Sequence, residues 1–254
     1  MAVLVLCLVM LSGLFGTGTA WGQKELHVVA AADLEPVLPV LAAAYEKATG
    51  VKLEISYGSS ATLATQILNG APMDIFLAAN FVFPEKVVAA GLADAKEPTP
   101  YARGTLVLWA RKDSPLQPLN MERLTDPRAT RVAIANPLHA PYGLAAMQAL
   151  KWLKIYNKVA PHLVVAENIA QTAQFVESDN AQLGLISMTA ALTPHFKEIG
   201  TFVLVPTYAY FPLRQCAVVM RKSSHKNEAH AFLNWLLTPA IQKSLPKLGL
   251  SPVQ

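Results

Sequence analysis

Ala133-Ile134-Ala135-Asn136-Pro137-Leu138-His139-Ala140-Pro141-Tyr142-Gly143 is a short apolar run that breaks into a turn marked by Pro and Gly, then opens a helical pattern. Tyr57-Gly58-Ser59-Ser60 does the same in fewer residues. The first turn of a helix leaves backbone N–H groups without intrahelical acceptors, and the helix dipole adds about half a positive charge there. Two such turns that face a common space make a cradle for an oxyanion.

Outward from these turns, short apolar runs alternate with helical patterns. His27–Ala31, Leu53–Tyr57, Ile75–Ala78, Leu106–Ala110, Val132–Ala135, Leu163–Ala166, Leu183–Ile186 and Ala217–Met220 read as buried strands. Leu38, Leu41, Ala42 and Tyr45 recur at helical spacing before Gly50, and Leu63, Ile67 and Leu68 before Gly70. This alternation predicts an α/β protein built of βαβ units, with mainly parallel sheets covered by helices on both faces. Parallel sheets bind ligands beyond the carboxyl ends of their strands, where the Gly, Ser and Pro turns fall. Two lobes facing each other would bring those turns together. We place lobe 1 at 24–103 plus 210–254 and lobe 2 at 104–209, joined by hinge strands near Tyr101–Thr105 and Tyr208–Arg214.

The composition fits a packed chain of one or two domains: 53% of its 254 residues are hydrophobic and only 15% charged. The net charge of +4 comes from 21 Lys and Arg scattered along the chain, without the basic stripe and interleaved aromatics that nucleic acid requires. Residues 1–22 read as an export signal. Ala2–Phe15 is apolar, and Gly16-Thr17-Gly18-Thr19-Ala20 offers small residues for cleavage after Ala20 or Gly22. No Lys or Arg precedes the run, which departs from the usual pattern, but the run is short of the ~20 residues that span a bilayer. Cys7 lies within it and lacks the small neighbour of a lipoprotein site, so Cys216 is the one thiol of the mature chain and no internal disulfide is expected. The six histidines (His27, His139, His162, His195, His225 and His230) have no metal-site spacing, and no Gly-x-Ser-x-Gly elbow occurs. An enzyme on this fold is the weaker alternative, with His139 stabilising its loop.

Four segments in this order carry a resemblance over nearly the whole mature chain. They are Val29-Ala30-Ala31-Ala32-Asp33-Leu34; Gly58-Ser59-Ser60-Ala61-Thr62-Leu63 with Gln66–Phe76; Asn136–Gly143; and Ala166-Glu167-Asn168-Ile169 with Phe175-Val176-Glu177. The chain resembles the periplasmic molybdate-binding proteins of bacterial molybdate ABC transporters, which have the type II periplasmic binding protein fold with a ligand cleft between two lobes. The resemblance implies a monomeric periplasmic protein, without metal or other cofactor, that binds molybdate or tungstate and delivers it to a membrane permease. It also implies ligand roles for the hydroxyl and amide of Ser60, the amide of Tyr142 and the amide of Ile169.

Two positions depart from the family pattern. Asp33 stands where a serine ligand is usual, and Ser187 where some members have a tyrosine; the phenol of Tyr142 could replace that donor. An ionised carboxylate about 4 Å from a dianion is opposed by roughly 8 kcal/mol at an effective dielectric of about 20. Asp33 is therefore expected either to turn away as an N-cap toward the Glu35 amide, or to accept from a protonated anion such as hydrogen phosphate. Phosphate or sulfate stays open as an alternative ligand. Ser60 could likewise be only an N-cap, and Ser187 only the end of its strand.

Overall fold

The structure, a computed structural model, describes residues 24–253. The export signal and Cys7 lie outside the described residues. The strands are β1 Glu25–Ala31, β2 Lys52–Gly58, β3 Ile75–Ala78, β4 Thr99–Gly104, β5 Leu106–Arg111, β6 Val132–Ala135, β7 Leu163–Ala166, β8 Leu183–Ser187, β9 Gly200–Leu204 and β10 Leu213–Val219. The α-helices are α1 Leu38–Thr49, α2 Ser60–Leu68, α3 Val82–Ala89, α4 Pro141–Trp152, α5 Tyr156–Val159, α6 Ile169–Glu177, α7 Met188–Ala191, α8 Pro194–Ile199, α9 Lys226–Leu236 and α10 Pro239–Ser244. Among the described residues no helix is long and apolar enough to cross a membrane.

The strands form two five-stranded sheets of the same plan, ordered β2-β1-β3-β10-β4 and β7-β6-β8-β5-β9. In each, the first three strands run parallel and the other two antiparallel to their neighbours. The parallel triplets come from the βαβ units. The antiparallel members are the strands that carry the chain into and out of each sheet.

Central strands read clearly because they are apolar on both faces: every residue of β3, β6 and β8 is buried. β2 and β7, expected as buried strands, are edges in which only Leu53 and Ala166 are buried, because each pairs on one side alone. β4 and β9 are also edges, β4 meeting only Ser251 on its outer side through Arg103, and their residues are mostly intermediate or exposed in burial. Pro100 is tolerated in β4 because an edge strand can dispense with a ladder donor. A single residue, Thr105, separates β4 from β5, so the chain passes from one sheet to the other almost without a loop. The return is longer, through Val205–Pro212 with one 3-10 turn at Thr207–Ala209. The expected strand at Tyr208–Arg214 thus begins only at Leu213, because Pro206 and Pro212 interrupt ladder bonding before it.

Helices cover both faces of each sheet. On the first, α1 and α9 close one apolar layer through Tyr45, Phe232 and Leu38, while α2 and α3 close another through Ile67 and Val87. On the second, α4 packs with Leu108 and Ile134, and α6 to α8 with Trp109 and Val176. Each fully buried side chain of this size contributes roughly 1.5–3 kcal/mol. α1 ends where Gly50 turns left-handed at φ 74°, as its sequence position predicts. The core of the second sheet also takes in Ala31, Ala32 and Ala79 from the first, so the two halves pack against each other at the carboxyl ends of β1 and β3.

Candidate functional site

The serine turn follows β2 directly. Ser59 is extended (φ −70°, ψ 146°) and its hydroxyl accepts from the Thr62 amide at 3.3 Å, which makes Ser59 the N-cap of α2. Ser60 is the first helical residue and is 1% exposed. Its Oγ accepts from the Ala79 amide at 3.1 Å, at the end of β3. The capping alternative raised for Ser60 therefore belongs to its neighbour. With one lone pair committed to Ala79, the Ser60 hydroxyl keeps its own hydrogen to donate.

Two further helix starts come from the second sheet. β6 ends at Ala135, and the Asn136 carbonyl accepts from His139 and Ala140 to tighten the turn into α4. Pro141 occupies the opening of α4, where its missing N–H costs nothing. A Cβ on Gly143 would stand 2.2 Å from the Ala135 carbonyl oxygen, so only glycine lets this helix begin directly on the strand end. β7 ends at Ala166, and Asn168 caps α6 by accepting from the Gln171 amide at 2.9 Å. Gln171 in turn accepts from the Glu167 amide at 2.8 Å, a reciprocal pair that satisfies two donors near the start of the helix. The first-turn amides of Ser60, Tyr142 and Ile169 point beyond their helices. One amide of α2, that of Ala61, reaches across to the His139 carbonyl at 3.1 Å and ties the two halves together.

Asp33 lies in the 3-10 turn Ala32–Leu34 after β1 and is 1% exposed. It is not a cap. The Glu35 amide bonds to the Ala32 carbonyl, and Ala31 precedes the turn. The Asp33 carboxyl instead turns inward, because Tyr142 and Gln215 offer it donors that a short 3-10 turn cannot. Tyr142 Oη donates to Asp33 Oδ2 at 3.1 Å and Gln215 Nε2 donates to the same oxygen. The Tyr101 hydroxyl donates to Gln215 Oε1 at 2.8 Å, which fixes the amide with its NH2 toward Asp33. Asp33 Oδ1 is buried without a partner. Burial pushes the carboxyl up to about 7, against the downward pull of its bonds to Gln215 and Tyr142. The phenol of Tyr142 is thus spent on Asp33, which corrects its reading as a substitute donor. Only its amide is left for a ligand. Gly104 makes room for this contact, since a Cβ there would stand 2.2 Å from Tyr142 Oη.

Asp33, Ser59, Ser60, Tyr142, Asn168 and Ile169 line one small pocket where the halves meet, and no Lys or Arg lines it. Four of the five residues singled out from the sequence meet there. Ser187 does not: it lines an adjoining depression with Glu35, Gln174 and Thr193. Its hydroxyl caps α7 by accepting from the Ala190 amide at 3.3 Å and lies 2.8 Å from Thr189 Oγ1. Ser187 ends its strand, as its local reading allowed. Thr189 Oγ1 donates to the Asp33 carbonyl at 2.7 Å, a second tie between the halves. Sequence reading passed over Ser59, Asn168 and Gln215. A lone glutamine inside the apolar strand Leu213–Val219 was the available signal, since a fully buried amide needs partners. Among the described residues no group of three or more His, Cys, Asp or Glu is placed to hold a metal ion.

This geometry can be set beside known proteins. The family model for bacterial extracellular solute-binding proteins matches residues 26–251. The molybdate-binding protein ModA of Rhodobacter capsulatus is 34% identical over 226 residues, 89% of this chain and 87% of its own length. ModA of Azotobacter vinelandii is 34% identical over 225 residues, 89% of each chain. The solved structure of the periplasmic molybdate-binding protein of Azotobacter vinelandii matches with a TM-score of 0.85 at 32% identity, covering 90% of this chain and 100% of that one. The chain therefore belongs to the bacterial extracellular solute-binding protein family, and it is similar over most of its length to molybdate-binding proteins.

Proposed function

We propose that this protein is the substrate-binding component of an ABC importer that captures molybdate, and tungstate equally by size and charge, in the pocket between its two lobes. The observation that carries the reading is the convergence of three helix starts and the Ser60 hydroxyl on one buried pocket lined by no cation. Hydrogen bonds and helix dipoles then hold the anion without a countercharge. The relatives named above bind molybdate by their names, which selects this oxyanion among others. Proposed donors are Ser60 by hydroxyl and amide, and Tyr142 and Ile169 by amide. Lobe 1 (24–103 with 210–254) and lobe 2 (104–209) close on the anion because each supplies part of the donor set. Residues 1–22 direct the chain to the periplasm, where it acts as a monomer and passes its ligand to the membrane permease.

A second reading is favoured by one residue. Asp33, if ionised, would select a protonated oxyanion such as hydrogen phosphate over a full dianion. Thermal unfolding and calorimetric titration with molybdate, tungstate, sulfate and phosphate separate the two. Molybdate and tungstate are expected to raise the melting temperature by mass action. A flat response of folded protein to both refutes the assignment, and phosphate outcompeting molybdate at neutral pH selects the second reading.

A further inference from the structure

We propose that Asp33 is a proton-carrying ligand residue: its neutral acid holds the hydrogen on Oδ1 and donates it to the captured anion, so that anion capture at alkaline pH takes up a proton. The proposal rests on the pocket being an oxyanion site. Its basis is the unequal environment of the two carboxyl oxygens. Oδ2 already receives two donors, from Tyr142 and Gln215, and the Tyr101 hydroxyl locks the Gln215 amide in the orientation that makes it a donor. A hydrogen on Oδ2 would compete with both. Oδ1 is buried with no partner, on a residue that lines the anion pocket. A buried oxygen without a donor is costly as a carboxylate and becomes useful once it bears a hydrogen that a ligand can accept.

The surrounding charges point the same way. Burial raises Asp33's affinity for a proton most and Glu35, on its own turn, adds to it, against the pull of the bonds from Gln215, Tyr142 and its own backbone amide. The titratable groups facing it from other elements are the phenols of Tyr142 on α4 and Tyr101 on β4, with Tyr210 and Cys216 behind them. Burial keeps all four neutral. None is a cation that could hold Asp33 ionised, and an incoming dianion opposes ionisation further.

The test uses the mature protein and sodium molybdate. Calorimetric titration at about pH 8.5, in two buffers of different ionisation enthalpy, should show close to one proton taken up per anion by the native protein. Its dissociation constant should rise about tenfold per pH unit above about pH 7. Asp33→Asn mimics the neutral acid, because its oxygen can accept from Tyr142 and Gln215 while its NH2 takes the place of Oδ1–H. Whatever affinity it shows at about pH 6 it should hold at about pH 9, and it should take up no proton. A loss of pH dependence with affinity retained is not what a merely structural Asp33 gives. Tight binding at pH 6 that persists unchanged at pH 9 without proton uptake overturns the proton coupling while leaving the molybdate reading intact. Equal proton uptake by Asp33→Asn assigns the proton elsewhere, Glu35 first, and also overturns it. No molybdate binding by the native protein even at pH 6 overturns the functional reading, and this proposal with it. If the variant does not fold, Glu35→Gln replaces it: proton uptake that persists supports Asp33 as the carrier, and uptake lost with Glu35 overturns the proposal.

Discussion

The two halves of this molecule share one sheet plan yet meet the pocket with different chemistry. The first half adds side chains to the Ser60 amide at the start of α2: the Ser60 hydroxyl, on the helix that Ser59 caps, and the Asp33 carboxyl. The second brings backbone: the openings of α4 at Pro141–Tyr142 and of α6 at Asn168–Ile169, where the side chains of Tyr142 and Ile169 are turned into the core. Side-chain donors can be removed one at a time by substitution. Backbone donors can be moved only by moving the helix. In the proposed complex, selectivity among oxyanions is therefore adjustable on one face, and the general affinity for an anion is built into the other.

The largest effect should come from the side-chain face, at Asp33. Its carboxyl is raised from 3.8 to about 7 in the folded protein. A raised acid means that the folded state holds a proton the unfolded chain has released, so stability falls as pH rises. The contribution is fully present below about pH 4 and is lost progressively through about pH 7, on the order of 4 kcal/mol in all. Asp33→Asn should abolish that slope: denaturant unfolding at pH 8 should find the variant more stable than the native protein, with little gain at pH 4. A native protein equally stable at both values would mean that Asp33 is ionised throughout.

Next in size, Ser60→Ala should weaken molybdate binding by about 1.5–3 kcal/mol, the range for a hydrogen bond to a charged group. Ser59→Ala, one residue earlier, should instead lower stability by about 1 kcal/mol through loss of the cap, with affinity nearly unchanged after correction for the folded fraction. If the two variants behave alike, the distinction between cap and ligand drawn from the Ala79 and Thr62 contacts fails.

The backbone face is broken at Gly143. Gly143→Ala places a methyl against the Ala135 carbonyl and must shift the start of α4, at a cost of about 1–3 kcal/mol in stability. Because the Tyr142 amide moves with the helix, affinity should fall too, even though no donor atom has been deleted. The smallest change sharpens the same point. Ile169→Val should cost about 0.5–1.5 kcal/mol of stability and leave the dissociation constant untouched, since the amide survives. A marked loss of affinity there would show that the Ile169 side chain, not its N–H, matters to the site.

Much of this was legible in the sequence for reasons that are local. β3, β6 and β8 are continuous buried runs because both faces are covered; β3 and β6 have the bounds read from the sequence, and β8 runs one residue further, to Ser187. The helix starts at Ser60, Pro141 and Ile169 were marked by turn residues whose effect extends over only a few positions. Edge strands β4 and β9 were less legible, since a strand covered on one side needs no unbroken apolar run.

What the sequence by itself determined was the α/β alternation, the places where strands give way to helices, and hence the supply of free N–H groups. These depend on hydrophobic period and turn chemistry, which act between near neighbours. Only the tertiary structure decided the state of Asp33. Its local sequence fits a cap, and nothing nearby in the chain reveals Tyr142, 109 residues away, or Gln215, 182 residues away. Pairing of β10 into the first sheet brings Gln215, and packing of the second half brings Tyr142, to one carboxyl oxygen, leaving the other buried and bare. Desolvation and hydrogen bonding are properties of the assembled surroundings, so the charge of that carboxyl, and what it can offer a ligand, is settled only when the fold is complete.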